Sequence, residues 1–303
     1  MSTAETRRDA TIELAGLTIS KVGYGTMQLE RLGDDPQAAI GVVRRAVDEG
    51  VGVIDTAHFY GDGFVNDILR RALTDDEEIV MSTKVGAEYD PAGAIPLRPA
   101  QKPHQLRAGV EDNLRSLGVE YIDLLFLRRL DAGPGITAEG DQLVALDDQL
   151  AELEQLRAEG KIGHIGLSGI TGDSLDEAVL GVIAAVQNNF SLVDRGDEPI
   201  LRACADNGVV WMPFFPLGGA QPGIAKVGSH PVVRDIAATL GITPAQLGLA
   251  WLLHHAANTV LVPGTTSIAH LRENLAVSAI ELSAEVMDQL DQFDWPGKLD
   301  QLD

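Results

Sequence analysis

Three residues of this 303-residue chain form an acid–base set if the fold brings them together: Asp55 and Tyr60 in "VIDTAHFYG", and Lys84 in "IVMSTKVG". A tyrosine phenol ordinarily titrates at a pKa of about 10. A neighbouring ammonium lowers that value, and a carboxylate beside the ammonium keeps it charged and oriented. Tyr60 is therefore expected to donate a proton near working pH, as general acid catalysis prefers. A fourth polar residue, Arg128, follows the apolar run "DLLFL". Arginine keeps its proton in proteins, so it can donate hydrogen bonds and stabilise developing negative charge but cannot shuttle a proton. Its planar fork also suits a carboxylate- or phosphate-bearing substrate. The structural alternative pairs Arg128 with an acid, Asp131 or Asp62.

These residues share a setting. Each stands at or just past the end of a short β-rich run, as do Ser168, Gln187, Asn188 and Phe214. The runs are "KVGYGT", "VGVID", "EIVMSTKV", "DLLFL", "HIGLS", "VIAAVQ", "VVWMPF" and "TVLVP". Between them lie amphipathic stretches such as "DPQAAIGVVRRAVDEG" and "DDQLAELEQLRAEG". Eight strands alternating with helices predict a closed (β/α)8 TIM barrel, whose chemistry lies at the C-terminal strand ends. Gly50, Gly160 and Gly208 are placed to end helices in the left-handed conformation. The opening "TIELAGLTIS" reads as an N-terminal β-hairpin that plugs the other end of the barrel. No linker or repeat interrupts the alternation, so one domain over 1–303 is expected.

Composition narrows the partners. Asp and Glu number 45 against 23 Lys and Arg, a net charge of −22, which argues against nucleic acid and for a small-molecule substrate. The single cysteine, Cys204 in "ILRACADNG", excludes an internal disulfide and reads as a packed hydrophobe. The N-terminus lacks an apolar segment and no stretch suits a membrane span, so a cytoplasmic protein is expected. No G-x-G-x-x-G follows a strand. "GLSGI" at 166–170 ends in Ile170 where a nucleophile elbow needs glycine. His254 and His255 lack metal-site spacing and suit helix packing, and no metal is expected. His58 falls between Asp55 and Tyr60 but is expected to pack within its loop.

Eight motifs in order resemble the aldo-keto reductases over nearly the whole chain. They are "KVGYGTMQL", "VIDTAHFYG", "IVMSTKVG", "LRSLGVEYIDLLFL", "GKIGHIGLSG", "VQNNFSLVDR", "PFFPLGG" and "VPGTTSIAHLRENL". The resemblance implies a (β/α)8 barrel that binds NAD(P)H across its C-terminal face and reduces aldehydes or ketones. It also implies a catalytic Asp, Tyr, Lys and His, matched here by Asp55, Tyr60 and Lys84, with Arg128 in the histidine position. Carried over in the same way, Gly25, Thr26 and Met27, with Asp55, face the nicotinamide end. Ser168 and Gln187 hold its carboxamide, with Gly169 replacing the usual Asn. Phe214 is the stacking aromatic, and Pro216, Leu217 and Gly218 form the pyrophosphate loop. Gly264, Thr265, Thr266 and His270 match the 2′-phosphate side, Glu273 and Asn274 the adenine side, and Arg272 is expected to contribute. NADP(H) is the expected cofactor and NAD(H) the alternative, because Gly264 and His270 stand where members preferring NADP often carry Lys and Arg. Substrate choice is expected from loops 131–141 and 217–229 and from the tail, where Trp295 can close the pocket or pack under the rim. A monomer is the family default. Two other functions fit the same scaffold. One is a redox-neutral epimerase or lyase, if a second cation drives Tyr60 to tyrosinate; the other is a non-catalytic nucleotide-sensing subunit.

Overall fold

Short apolar runs bounded by glycine pair side by side, because strands buried on both faces must satisfy their backbone groups with one another. The computed structural model describes residues 11–74, 77–93, 95–131, 135–219 and 225–292; Trp295 and the rest of the tail lie outside them. Strands β1 (Thr11–Leu14) and β2 (Leu17–Ser20) form the expected antiparallel hairpin around Ala15 and Gly16. Next come β3 (Tyr24–Gly25), β4 (Val53–Asp55) and β5 (Val80–Val85). A second hairpin, β6 (Ala87–Tyr89) with β7 (Leu97–Pro99), was not anticipated from the sequence. The remaining strands are β8 (Ile122–Arg128), β9 (Ile162–Ser168), β10 (Ile183–Gln187) and β11 (Val210–Trp211). The order β11-β10-β9-β8-β5-β4-β3 is a parallel seven-stranded sheet.

The eighth run closes the ring by isolated bridges. Thr259 meets Trp211 on one side, while Leu261 meets Val22 and Gly264 meets Gly25 on the other. Glycine is required where these edges converge: a Cβ on Gly25 would lie 2.3 Å from the Val262 carbonyl oxygen, and one on Gly23 2.5 Å from that of Val53. Inside the barrel Val53, Val80, Leu124, Phe126, Ala185, Val210 and Val260 pack with Leu14 and Ile19 of the hairpin, which is therefore the plug.

Ten helices are described: α1 (Pro36–Asp48), α2 (Phe64–Ala72), α3 (Pro103–Leu117), α4 (Leu146–Ala158), α5 (Glu177–Leu180), α6 (Glu198–Asp206), α7 (Pro231–Leu240), α8 (Pro244–His255), α9 (Ile268–Leu275) and α10 (Ala284–Asp291). Gly50, Gly160 and Gly208 do take positive φ, at 85°, 76° and 69°. Along β8 the faces alternate. Leu124 and Phe126 enter the barrel core, while Leu125 and Leu127 pack among the residues beneath the helices. Among the described residues no single helix is long and apolar enough to cross a membrane.

Candidate active site

The mouth of the barrel is built on adjacent strand ends. Asp55 ends β4 and Lys84 lies near the end of β5, so pairing of the two strands sets their side chains face to face. Lys84 Nζ donates to Asp55 Oδ2 at 2.5 Å and to the Thr56 carbonyl at 2.9 Å. The other carboxylate oxygen, Oδ1, accepts from Ser82 Oγ at 2.7 Å and from Gln187 Nε2 at 2.9 Å. The paired side chains are only 7% and 8% exposed. A buried ion pair persists when its remaining hydrogen-bonding capacity is also met, and here it is. Burial alone would lower the Lys84 pKa, but Asp55 and Tyr60 outweigh it and the net shift is upward, so the lysine stays charged.

Tyr60 sits beside this pair, with Lys84 Nζ 5.1 Å from its ring centroid. Its proton departs from expectation. Burial raises the phenol's pKa above its ordinary value, and the opposing pull of Lys84 and, more weakly, Arg128 does not reverse the shift. The cations moderate the penalty of burying a phenolate without making the phenolate the resting form.

Behind the pair, buried polar side chains lock β4 and β5 to the helices. Thr56 Oγ1 donates to Asn66 Oδ1, and Asn66 Nδ2 donates to Asn113 Oδ1 and to Ser116 Oγ. Asn113 also accepts from Thr83 and donates to the Lys84 carbonyl. His58 Nδ1 lies 3.0 Å from Ser116 Oγ, which is the loop packing expected of it.

Arg128 ends β8 on the face that Leu124 and Phe126 turn inward. Its guanidinium carbon lies 5.9 Å from the Phe59 ring centroid. The pairing considered for it with Asp131 does not form, because Asp131 accepts both Nε and Nη2 of the neighbouring Arg129 at 3.0 Å. Asp62 does not take it either; Arg31, Arg128, Lys226 and Arg234 make no ion pair among the described residues, and of these four only Arg128 is not exposed. Burial holds the Arg128 pKa below the ordinary guanidinium value, with Tyr60 opposing.

The residues carried over for a cofactor fall along one face. Thr26 is buried, and both its N–H and its hydroxyl donate to the Asp55 carbonyl, while Met27 is exposed. Ser168 pairs in register with Arg128 on one side and Gln187 on the other. Gln187 spends its amide N–H on Asp55, which leaves its oxygen for a ligand. Gly169 has φ of 64° and donates its N–H to the Gln187 carbonyl. Phe214 packs edge-on against Phe215, 5.1 Å between centroids. After Pro216, Leu217 and Gly218 line a cleft of about 370 Å3 with Lys226, Gly228, Ser229 and Ala245. Gly218 has φ of 64°, and a Cβ there would lie 2.0 Å from the Ala225 carbonyl oxygen.

At the far end Gly264 is exposed, and Thr265 accepts the Tyr24 hydroxyl at its carbonyl and the Ser267 N–H at its own hydroxyl. Thr266 precedes α9, which carries exposed His270, half-buried Glu273 and buried Asn274. Arg272, which is exposed, pairs with Glu49 at 2.8 Å. His254 and His255 belong to packing, against the Ala250 carbonyl and Glu198. Ser82, Thr56 and Lys226 were missed. Ser82 and Lys84 alternate with Thr83 on one strand, a period that places both on the face of Asp55.

Comparisons with known proteins agree with this architecture. The model of the aldo/keto reductase family matches residues 21–294. A pyridoxine 4-dehydrogenase of Escherichia coli (strain K12) is 39% identical over 290 residues, covering 93% of this chain and 97% of the relative. An uncharacterized oxidoreductase of Schizosaccharomyces pombe is 31% identical over 303 residues, covering 96% and 92%. An aldo-keto reductase from Klebsiella pneumoniae, crystallised with NADPH, superposes with a TM-score of 0.77 at 27% identity, covering 96% of this chain and 97% of that one. A second aldo/keto reductase from the same organism, crystallised with NADP and acetate, gives 0.75 at 28% identity, covering 97% and 99%. On these matches the chain belongs to the aldo/keto reductase family.

Proposed function

We propose that the protein is an NADP(H)-dependent oxidoreductase that interconverts a polar carbonyl compound and its alcohol, with Arg128 in place of the family's usual histidine. The observation that carries this reading is the buried Asp55–Lys84 pair held against Tyr60 at the barrel mouth. Pyridoxal and pyridoxine are the first substrate pair to test, given the name of the Escherichia coli relative. The site draws on positions from Gly25 to Asn274, which supports one domain over 1–303.

The residues present fit the cofactor. Leu217 and Gly218 line a cleft with Lys226, which makes no ion pair among the described residues and offers its cation for a phosphate. Thr265, Thr266, His270, Glu273 and Asn274 would hold the adenosine end, and Phe214 the nicotinamide face, with Gly25, Thr26, Met27, Ser168, Gly169 and Gln187 around it. NADP(H), when bound, supplies or accepts the hydride. Tyr60 then gives its phenolic proton to the carbonyl oxygen, and Lys84 stabilises the phenolate left behind. Asp55 keeps Lys84 charged and aimed. Arg128 donates hydrogen bonds to the oxygen as negative charge develops there. The upward shift of the Tyr60 pKa favours the phenol, the proton donor for carbonyl reduction, over a resting tyrosinate.

The test is NADPH oxidation with pyridoxal and NADP reduction with pyridoxine. Tyr60→Phe is expected to lower kcat/KM by about 100- to 10,000-fold, the range for a positioned general acid, while NADPH affinity is retained. Tight NADPH binding with no turnover across a broad carbonyl panel would overturn the reductase reading. It would leave the sensing subunit in its place.

A further inference from the structure

We propose that Arg128 is the specificity residue of this site, and that it selects aryl aldehydes whose ring carries an ionised oxygen ortho to the reacting carbonyl. The proposal rests on the reductase reading above and names the substrate class that the site takes.

The first ground is the missing partner. A cation shielded from water is unfavourable unless an anion or hydrogen-bond acceptors meet it. Arginine cannot relieve the burden by losing its proton. In a chain with 45 acidic residues, a partner would be easy to supply. None is supplied among the described residues, and two acids at the strand ends, Asp131 and Asp55, are committed elsewhere. Asp131 holds Arg129, while Asp55 receives Lys84, Ser82 and Gln187. Among the described residues, then, the site keeps a half-buried cation with no anion against it, a place that the anion of a ligand would fill.

The second ground is the surroundings. Phe59 lies beneath the guanidinium and belongs to an apolar wall with Ala57 and Ala87, against which Tyr60, Leu97 and Ile136 pack. Such a wall accepts a flat ring and offers no other charge to orient it. Position completes the argument. The register of β8 against β9 puts Arg128 beside Ser168, on the side of the barrel where Gln187 and Asp55 converge.

The third ground is the geometry of the fork. A guanidinium presents parallel N–H groups that match two oxygens lying side by side. An ortho-oxido aldehyde offers such a pair, the ring oxygen and the carbonyl oxygen. One arm of Arg128 can then hold the anion while the other polarises the carbonyl that Tyr60 protonates. A histidine in that position could serve the carbonyl but not both oxygens together.

Two aldehydes differing in one atom test this: 3-hydroxypyridine-4-carbaldehyde, whose ring oxygen ionises at neutral pH, and pyridine-4-carbaldehyde. Wild type is expected to favour the first in kcat/KM by about 10- to 100-fold, the range for a hydrogen bond to a charged group. The ring oxygen also alters the aldehyde's own reactivity, so the decisive quantity is how that ratio changes with the protein. Arg128→Met is expected to collapse the ratio, and Arg128→Lys, which keeps charge without the fork, to leave it between the two. NADPH binding by Arg128→Met, read from protein fluorescence, establishes that the variant is folded. A preference that survives in Arg128→Met, or is absent in wild type while both aldehydes are reduced, overturns the proposal and leaves the reductase reading standing. Reduction of neither aldehyde, nor of any other carbonyl, overturns both.

Discussion

Arg128, the last residue of β8, and Arg129, the next, turn to opposite sides and meet opposite surroundings. Arg129 turns outward into a chain of partners: Asp131, the Val144 carbonyl and Gln149. Gln149 in turn bonds Gln101, whose amide donates to the carbonyls of Gly86 and Arg128. The outer arginine therefore helps fix the backbone from which the inner one projects. Arg128 turns toward the barrel mouth and receives nothing comparable. Strand periodicity alone separates them, and the difference divides scaffold from site. Arg129 is fully paired and fixes position, whereas Arg128 makes no ion pair among the described residues.

Four measurements test that contrast. The largest effect is expected in the paired region: Lys84→Met strands the buried Asp55 carboxylate and should destabilise the fold by about 3–5 kcal/mol, read from urea unfolding. A loss below about 1 kcal/mol would mean the pair is not buried as described. Arg129→Ala should cost about 1–3 kcal/mol, because several hydrogen bonds to a charged group are removed together. Arg128→Met should act in the other direction, raising stability by about 0.5–1 kcal/mol as an unpaired cation leaves a sheltered site. A fall in its melting temperature would place Arg128 with the scaffold.

The smallest effect concerns pH. With its pKa raised above about 10, Tyr60 remains protonated through neutral pH, so carbonyl reduction should change little between about pH 6 and 9. Alcohol oxidation, which needs the phenolate as base, should climb with pH over the same interval. Lys84 follows the same sign. Its folded pKa is raised, so its contribution to stability is complete below the unfolded value of about 10.4 and is lost only at higher pH. A reduction rate that falls steeply near neutral pH would contradict both.

Much of the barrel was legible in the chain because its strands are apolar runs ended by a polar residue, and the order of those ends assembled Asp55, Lys84, Arg128 and Gln187. Two features hid the rest. Three-residue strands such as β6 and β7 carry too short a pattern to register, and Pro96 before β7 and Pro99 at its end obscured them further. Long-range partners were the second difficulty. Nothing local indicates that Arg272 will meet Glu49, or that the Gln187 amide will turn to Asp55. The Arg128–Asp131 pairing was a failure of a different kind, because alternation along β8 already put Arg129, not Arg128, on the outer face. The Tyr60 proton was misjudged because neighbouring charges can be named from a sequence, whereas the degree of burial that outweighs them cannot.

The closure of the barrel also sets a timetable. The Tyr24 hydroxyl reaches the Thr265 carbonyl across 241 residues, beside the bridge between Gly25 and Gly264. At a synthesis rate of about 5–20 residues per second, roughly 12–50 s separate the emergence of these two edges from the ribosome. Throughout that interval β3 waits with one side unpaired. A nascent chain stalled before residue 259 would thus carry Asp55, Tyr60, Lys84 and Arg128 with no closed barrel to aim them.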